Sequence, residues 1–271
     1  PVEVLLSGLN RPGERHGTKY TYTAPGYRLK YKDMKDYRNE TGRKLEILME
    51  DKPSGLEVCS NIQFYDGISV IRSWTELKNN GEEDLGVEYV SSFALLGIDK
   101  EGLLSTDEKL EVLIARNAWQ KELIWNRFSM DQLGMSISQP DKVRRSSQTI
   151  SVGNTGNWST KNYLPMGCLK NKETDSILFW QIEQNGSWYW EISDQDGHMY
   201  LQLSGPTEHQ SHWWKNLKPG DTFASVPVSV GSACGDVEEA AGELTKYRRA
   251  IRRKNEDNEK LPVIFNDYMN C

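Results

Sequence analysis

LEVCSNIQFYDGISVIRSWTELKNNG, residues 56–81, sets the period of this chain at two. Leu56, Val58, Ile62 and Phe64 fall on one face of an extended segment, Asp66-Gly67 offers a tight turn, and Ile68, Val70 and Trp74 take up a returning strand. Successive side chains of a strand point to opposite faces, and Asp-Gly supplies the positive φ that a two-residue hairpin turn needs. The stretch therefore predicts an antiparallel β-hairpin.

The same pattern extends in both directions. Asn79-Asn80-Gly81 turns the chain again, and VEYVSSFALLGI (87–98) supplies a further strand. In SILFWQIEQNGSWYWEISDQDGHMYLQLSG (176–205), Asn185-Gly186 is expected to join two aromatic-rich strands as a hairpin, and Asp196-Gly197 to deliver a third. KPGDTFASVPVSVG (218–231) is a strand pair or one long strand bounded by Gly and Pro.

One segment has helical period. In DVEEAAGELTKYRRAIRRKN (236–255), Val237, Ala240, Ala241, Leu244, Tyr247 and Ile251 form a stripe. Asp236 can cap the first turn with Glu239 three residues on, and the basic residues of KYRRAIRRK (246–254) fall where cations meet the negative end of the helix dipole. NEDNEK (255–260) is expected to be a charged turn, and LPVIFNDYMNC (261–271) begins with the apolar run of a strand buried on both faces. Many antiparallel strands, one helix and one buried-type strand make a mainly β protein.

Composition narrows the function. The chain of 271 residues can bury a sizeable core, and its nine Trp and twelve Tyr argue for a folded domain. Net charge is −6 with basic and acidic residues interleaved, so no broad basic surface is offered to nucleic acid. No apolar run reaches the roughly 20 residues of a membrane span. Cys59, Cys168, Cys234 and Cys271 are widely spaced, without a CxxC pair, which points to reduced thiols in a cytoplasmic protein rather than to zinc or a disulfide framework. The sequons at Asn39, Asn157 and Asn185 would matter in a secreted chain.

No complete active site is visible. Lys35-Asp36-Tyr37-Arg38 sets a carboxylate beside two cations, as a binding loop would, but equally as a solvated loop laced with salt bridges would. His209 and His212 lack a marked third ligand, and no phosphate-cradling glycine loop, GxSxG or Cys–His pairing is present, so neither metal nor cofactor is expected. The aromatics leave two readings open. Trp180, Trp188 and Trp190, and the Trp213-Trp214 pair, are either packing groups or indole platforms for the apolar C–H faces of sugars.

LEVCSNIQFYDGISVIRSWTELKNNG, WNRFSMDQLGMSISQ (125–139), GNTGNWSTKNYLPMGCLKN (153–171) and LPVIFNDYMNC together resemble the N-terminal region of α-galactosidases (melibiases) of glycoside hydrolase family 36. The resemblance covers nearly the whole chain. It implies an antiparallel β-supersandwich of the galactose-mutarotase-like kind over 1–235, missing its first strands, a linker helix and turn over 236–260, and the first strand of a truncated (β/α)8 barrel over 261–271. The family hydrolyses terminal α-linked galactose with retention, using two Asp residues on later barrel strands, so the resemblance places no catalytic pair in these residues.

Two substrate-bordering groups are implied. Asn266, Asp267 and Tyr268 would stand at the mouth of the barrel, where strands end; many relatives have Asn-x-Trp-Glu there, and Tyr268 and Met269 replace its last two residues. Asp36, Tyr37 and Arg38 match the Asp-aromatic-Arg sequence that tetrameric relatives insert into a neighbour's active site. The expected partners are a galacto-oligosaccharide, the chain's own barrel and further copies of itself. The rival readings are an independent carbohydrate-binding module using Trp213, Trp214 or the 180–190 sheet face, and an α-N-acetylgalactosaminidase.

Overall fold

In the computed structural model, which describes residues 2–9, 19–135, 148–195 and 197–265, two antiparallel sheets face each other across one core. The smaller, six-stranded sheet runs in the order β1 (Val4–Leu6), β6 (Leu85–Leu96), β13 (His198–Ser204), β12 (Trp188–Gln195) and β9 (Ile150–Asn154), with β14 (Lys215–Leu217) also on β6. The larger, ten-stranded sheet begins with β2 (Lys30–Asn39), β3 (Gly42–Asp51), β4 (Leu56–Tyr65) and β5 (Ile68–Asn79). It continues through β16 (Val228–Cys234), β11 (Ser176–Ile182), β10 (Tyr163–Asn171), β7 (Leu110–Ala118) and β8 (Lys121–Ser129), and β15 (Thr222–Ala224) pairs β5. This is the expected antiparallel supersandwich.

The 56–79 hairpin forms as its turn chemistry requires: Tyr65 pairs Ile68 across Asp66-Gly67, with Gly67 at φ 73°. Its burial pattern is less simple than period two suggests. Leu56 and Val58 are buried toward the smaller sheet, whereas farther along it is Asn61, Gln63 and Tyr65 that are buried, while Phe64 is exposed. The far half of β4 leaves the core, and Tyr65 turns to the outer face to pack on a helix.

That helix is α4 (Val237–Ile251). Asp236 and Glu239 form the capping box their spacing implies, and Ala240, Leu244 and Tyr247 bury the stripe against the outer face of the larger sheet. Polar clamps fix it along its length. Arg127 grips Asp236, Glu243 accepts the Ser69 amide at 3.0 Å, and the Tyr247 hydroxyl donates to Glu183, itself held by both Arg72 nitrogens at 3.0 and 2.7 Å. Beyond it, 256–260 is a short helix, α5 (Glu256–Lys260), rather than a turn, because the Asn255 side chain accepts the Asn258 amide at 2.8 Å and caps it. Leu261 ends α5 in the left-handed region, 262–265 form no strand, and Val263, Ile264 and Phe265 are exposed. Three shorter helices, α1 (Ala24–Arg28), α2 (Thr106–Lys109) and α3 (Glu208–Ser211), complete the described elements.

Asn185-Gly186 does not make the expected hairpin. It carries the chain from β11 in the larger sheet to β12 in the smaller one, where β12 pairs β9 and β13 instead. The consequence is that Trp180 and Trp190 meet edge to face, ring centres 5.1 Å apart, across the core between the sheets. Each indole removes some 150–250 Å² from water, roughly 4–6 kcal/mol of transfer free energy.

The outer face of the smaller sheet is closed by residues 19–23, a short strap. Lys19 pairs with Asp194 at 3.0 Å, the Tyr20 ring stacks on Tyr89 at 3.9 Å, and Thr23 donates both its amide and its hydroxyl to Glu3, at 3.0 and 2.6 Å. Beneath it, the buried Glu191 carboxylate accepts the Tyr20 amide at 2.9 Å, the Tyr200 hydroxyl at 2.9 Å and the Tyr189 hydroxyl at 2.8 Å.

Candidate functional site

The Asp36-Tyr37-Arg38 sequence lies on β2, the outermost strand of the larger sheet, rather than in a loop. Residues 30–39 pair with 42–50 because their extended period matches that of β3, and the turn at Glu40-Thr41 is braced by Asn39, whose side chain accepts the amides of Thr41 and Gly42 at 3.1 Å each. The whole of β2 is exposed. A strand alternates its faces, so Asp36 and Arg38 share one side and Tyr37 occupies the other. The three side chains do not converge.

Their polar heads are already engaged within the hairpin region. Both Asp36 oxygens accept from Arg43, at 2.8 and 2.5 Å, and that guanidinium holds the Asp36 carboxyl below its ordinary range. Arg38 pairs with Asp66, and the Tyr37 hydroxyl donates to Glu46 at 2.8 Å, a carboxylate that Lys44 also grips at 2.7 Å. An ionised, doubly bonded Asp36 is a poor general acid. The arrangement suits a surface that presents fixed charges and a half-exposed phenol to something docking on it.

Trp213 and Trp214 part company. Trp213 packs on the cluster around Leu217, its ring 5.5 Å from Phe223, because His212 at φ 53° turns the chain back toward the sheet. Trp214 is 62% exposed. Trp180, Trp188 and Trp190 are core groups, and the Trp188 indole donates to the Ser159 carbonyl at 2.7 Å. Asn266, Asp267 and Tyr268 lie outside the described residues. His209 and His212 flank α3 at a distance from other ligands, and among the described residues no group of three or more His, Cys, Asp or Glu could hold a metal. Cys59, Cys168 and Cys234 are free.

Burial pushes the Cys168 thiol up to about 12, which removes it from nucleophilic chemistry. At pH 8 its thiolate fraction falls roughly a thousandfold below that of an ordinary cysteine with pKa near 8.5. With a colorimetric disulfide reagent, the exposed Cys234 should react in minutes, and Cys168 only after denaturant is added. Equal rates at both positions would contradict the burial.

No family profile matches the chain, and no curated protein does. Solved structures do. The GH36 α-galactosidase AgaA of Geobacillus stearothermophilus, in complex with stachyose, superposes with a TM-score of 0.72 over 96% of this chain and 33% of its own, at 16% identity. AgaB of the same organism matches at 0.72 over 98% of this chain and 34% of its own, also at 16% identity. The α-galactosidase of Lactobacillus brevis matches at 0.65, over 82% and 29%, at 14% identity. The chain thus spans about a third of the enzymes it superposes on. Its two facing sheets and following helix have the fold of the N-terminal region of GH36 α-galactosidases, the family that its sequence resembles.

Proposed function

We propose that the chain is the non-catalytic N-terminal β domain of a retaining α-galactosidase that removes terminal α-linked galactose from oligosaccharides of the melibiose, raffinose and stachyose kind. The observation that carries this reading is the superposition of nearly the whole chain on one third of such enzymes, one of them crystallised with stachyose and another with raffinose. In this reading the nucleophile and the acid stand on later barrel strands, about 5–5.5 Å apart as retention requires. The β domain packs on the barrel, helps copies assemble into an oligomer, and offers β2 and β3 to the rim of a substrate site. The paired state of Asp36 and Arg38 supports a positioning role for that hairpin. The free thiols fit a cytoplasmic enzyme.

The test is an assay with a nitrophenyl α-galactoside. The purified 271-residue chain should give no turnover above the blank, and the polypeptide extended through the following barrel should turn over at ordinary enzymatic rates, about 1–10³ per second. Turnover by the chain alone, or an inert extended polypeptide, would overturn the reading.

A further inference from the structure

The most exposed tryptophans of the molecule are not those that stand out in the sequence. Trp119, in the turn between β7 and β8, is 79% exposed, and Trp158, in the connection between β9 and β10, is 51% exposed. Two large indoles left in water on neighbouring connections are costly to maintain unless something covers them.

One side chain ties the two connections together. Asn117, two residues before Trp119, donates its amide to the Thr160 carbonyl at 2.6 Å, two residues after Trp158, and accepts the Leu123 amide at 3.1 Å. Its own backbone amide reaches the Asn162 carbonyl at 3.0 Å. Trp158 is further fixed by its carbonyl, which accepts the Asn154 side chain at 2.7 Å, and by the core Trp188, whose indole holds the adjoining Ser159. Both exposed rings are thus displayed from a braced frame, so that little backbone freedom is lost when a ligand covers them.

The chemistry around the rings selects the ligand. No charged residue occurs between Gln148 and Thr160, in a chain of which 27% is charged. Thr155, Asn157, Thr160, Asn162 and Gln120 bring amides and hydroxyls to the same end of the molecule. Apolar ring faces beside neutral hydrogen-bonding groups complement a neutral, polyhydroxylated ligand with apolar C–H faces, and they offer a phosphate or an acidic peptide nothing to pair with.

We propose that Trp119 and Trp158 form a stacking platform for a neutral oligosaccharide, separate from β2 and from Trp213-Trp214. That the sugar is a galactoside rests on the function proposed above; the platform itself does not. The test is tryptophan fluorescence of the 271-residue chain titrated with stachyose and, in parallel, with maltotetraose and cellotetraose. The expected result is saturable quenching by stachyose at millimolar concentration, with affinity falling at least tenfold in Trp119→Ala and in Trp158→Ala, partly restored in Trp119→Tyr, and unchanged in Trp214→Ala. Both sites lie in exposed connections, and circular dichroism of each variant verifies that the sandwich is intact. Quenching by the glucans alone, lost in the same variants, would keep the platform and count against the galactoside. The platform is overturned if no saccharide binds, if binding survives both alanine variants, or if the indoles respond only to protein concentration, which would make them a contact between copies.

Discussion

Replacing Glu191 by alanine should lower the free energy of unfolding by about 3–5 kcal/mol, roughly a 10 °C fall in midpoint for a chain of this size. The carboxylate is fully buried on the outer face of β12 and takes three donors, from the Tyr20 backbone and the Tyr189 and Tyr200 phenols. Burial first, and the Glu191 charge second, hold both phenols above their ordinary range, so they remain donors at any pH the fold survives. Alanine leaves three buried donors facing an empty pocket and frees the strap from the smaller sheet. Glutamine keeps the shape and one acceptor oxygen, and should cost about 1–3 kcal/mol. Urea unfolding of the two variants measures both values. A loss under about 1 kcal/mol for alanine would mean that the strap is held by other contacts.

The second large effect is expected at the centre of the core. Trp190→Ala should cost about 3–5 kcal/mol, since the indole fills the space between the sheets and its neighbours relax only in part. Trp180 cannot shift to compensate. Its ring lies over Gly167, where even a Cβ would come within 2.5 Å of it. Because the two rings meet edge to face, the double variant Trp180→Ala/Trp190→Ala should lose less than the sum of the single variants, by about 0.5–1.5 kcal/mol. Strict additivity would argue that the rings do not touch in solution.

The parts of the fold legible in the sequence are those with local causes. The 56–79 hairpin follows from a period and a turn, and the start of α4 follows from Asp236 and Glu239, all within a few residues of one another. Asn185-Gly186 carries the same local signal as Asp66-Gly67, yet it bridges two sheets. What decides is partner choice: β11 takes β16, some 50 residues away, and β12 takes β9 on one side. No short-range pattern encodes those pairings. β4 shows a related limit, since its hydrophobic alternation continues past Ser60 while the surface it packs against does not.

The candidate site was legible as residue types more than as geometry. Asp36, Tyr37 and Arg38 stand in one sequence word but on two faces of a strand, and their ionic partners Arg43 and Asp66 are supplied by the neighbouring turns. Trp213 and Trp214 are adjacent, yet one is packed and the other bare. Trp119 and Trp158 passed unnoticed because exposure of an indole leaves no periodic trace, and the contact joining their connections runs through Asn117, an ordinary residue in the sequence.

The strap over the smaller sheet also sets a timetable. Tyr20 reaches its acceptor Glu191 across 171 positions of chain, and Lys19 reaches Asp194 across 175. At a synthesis rate of about 5–20 residues per second, the first segment to leave the ribosome waits roughly 10–35 s for the strand that receives it. Until then Tyr20 and the apolar Val4–Leu6 have no sheet to close on, so the nascent chain spends that interval with its earliest β segment unpaired and open to capture by chaperones or by another chain.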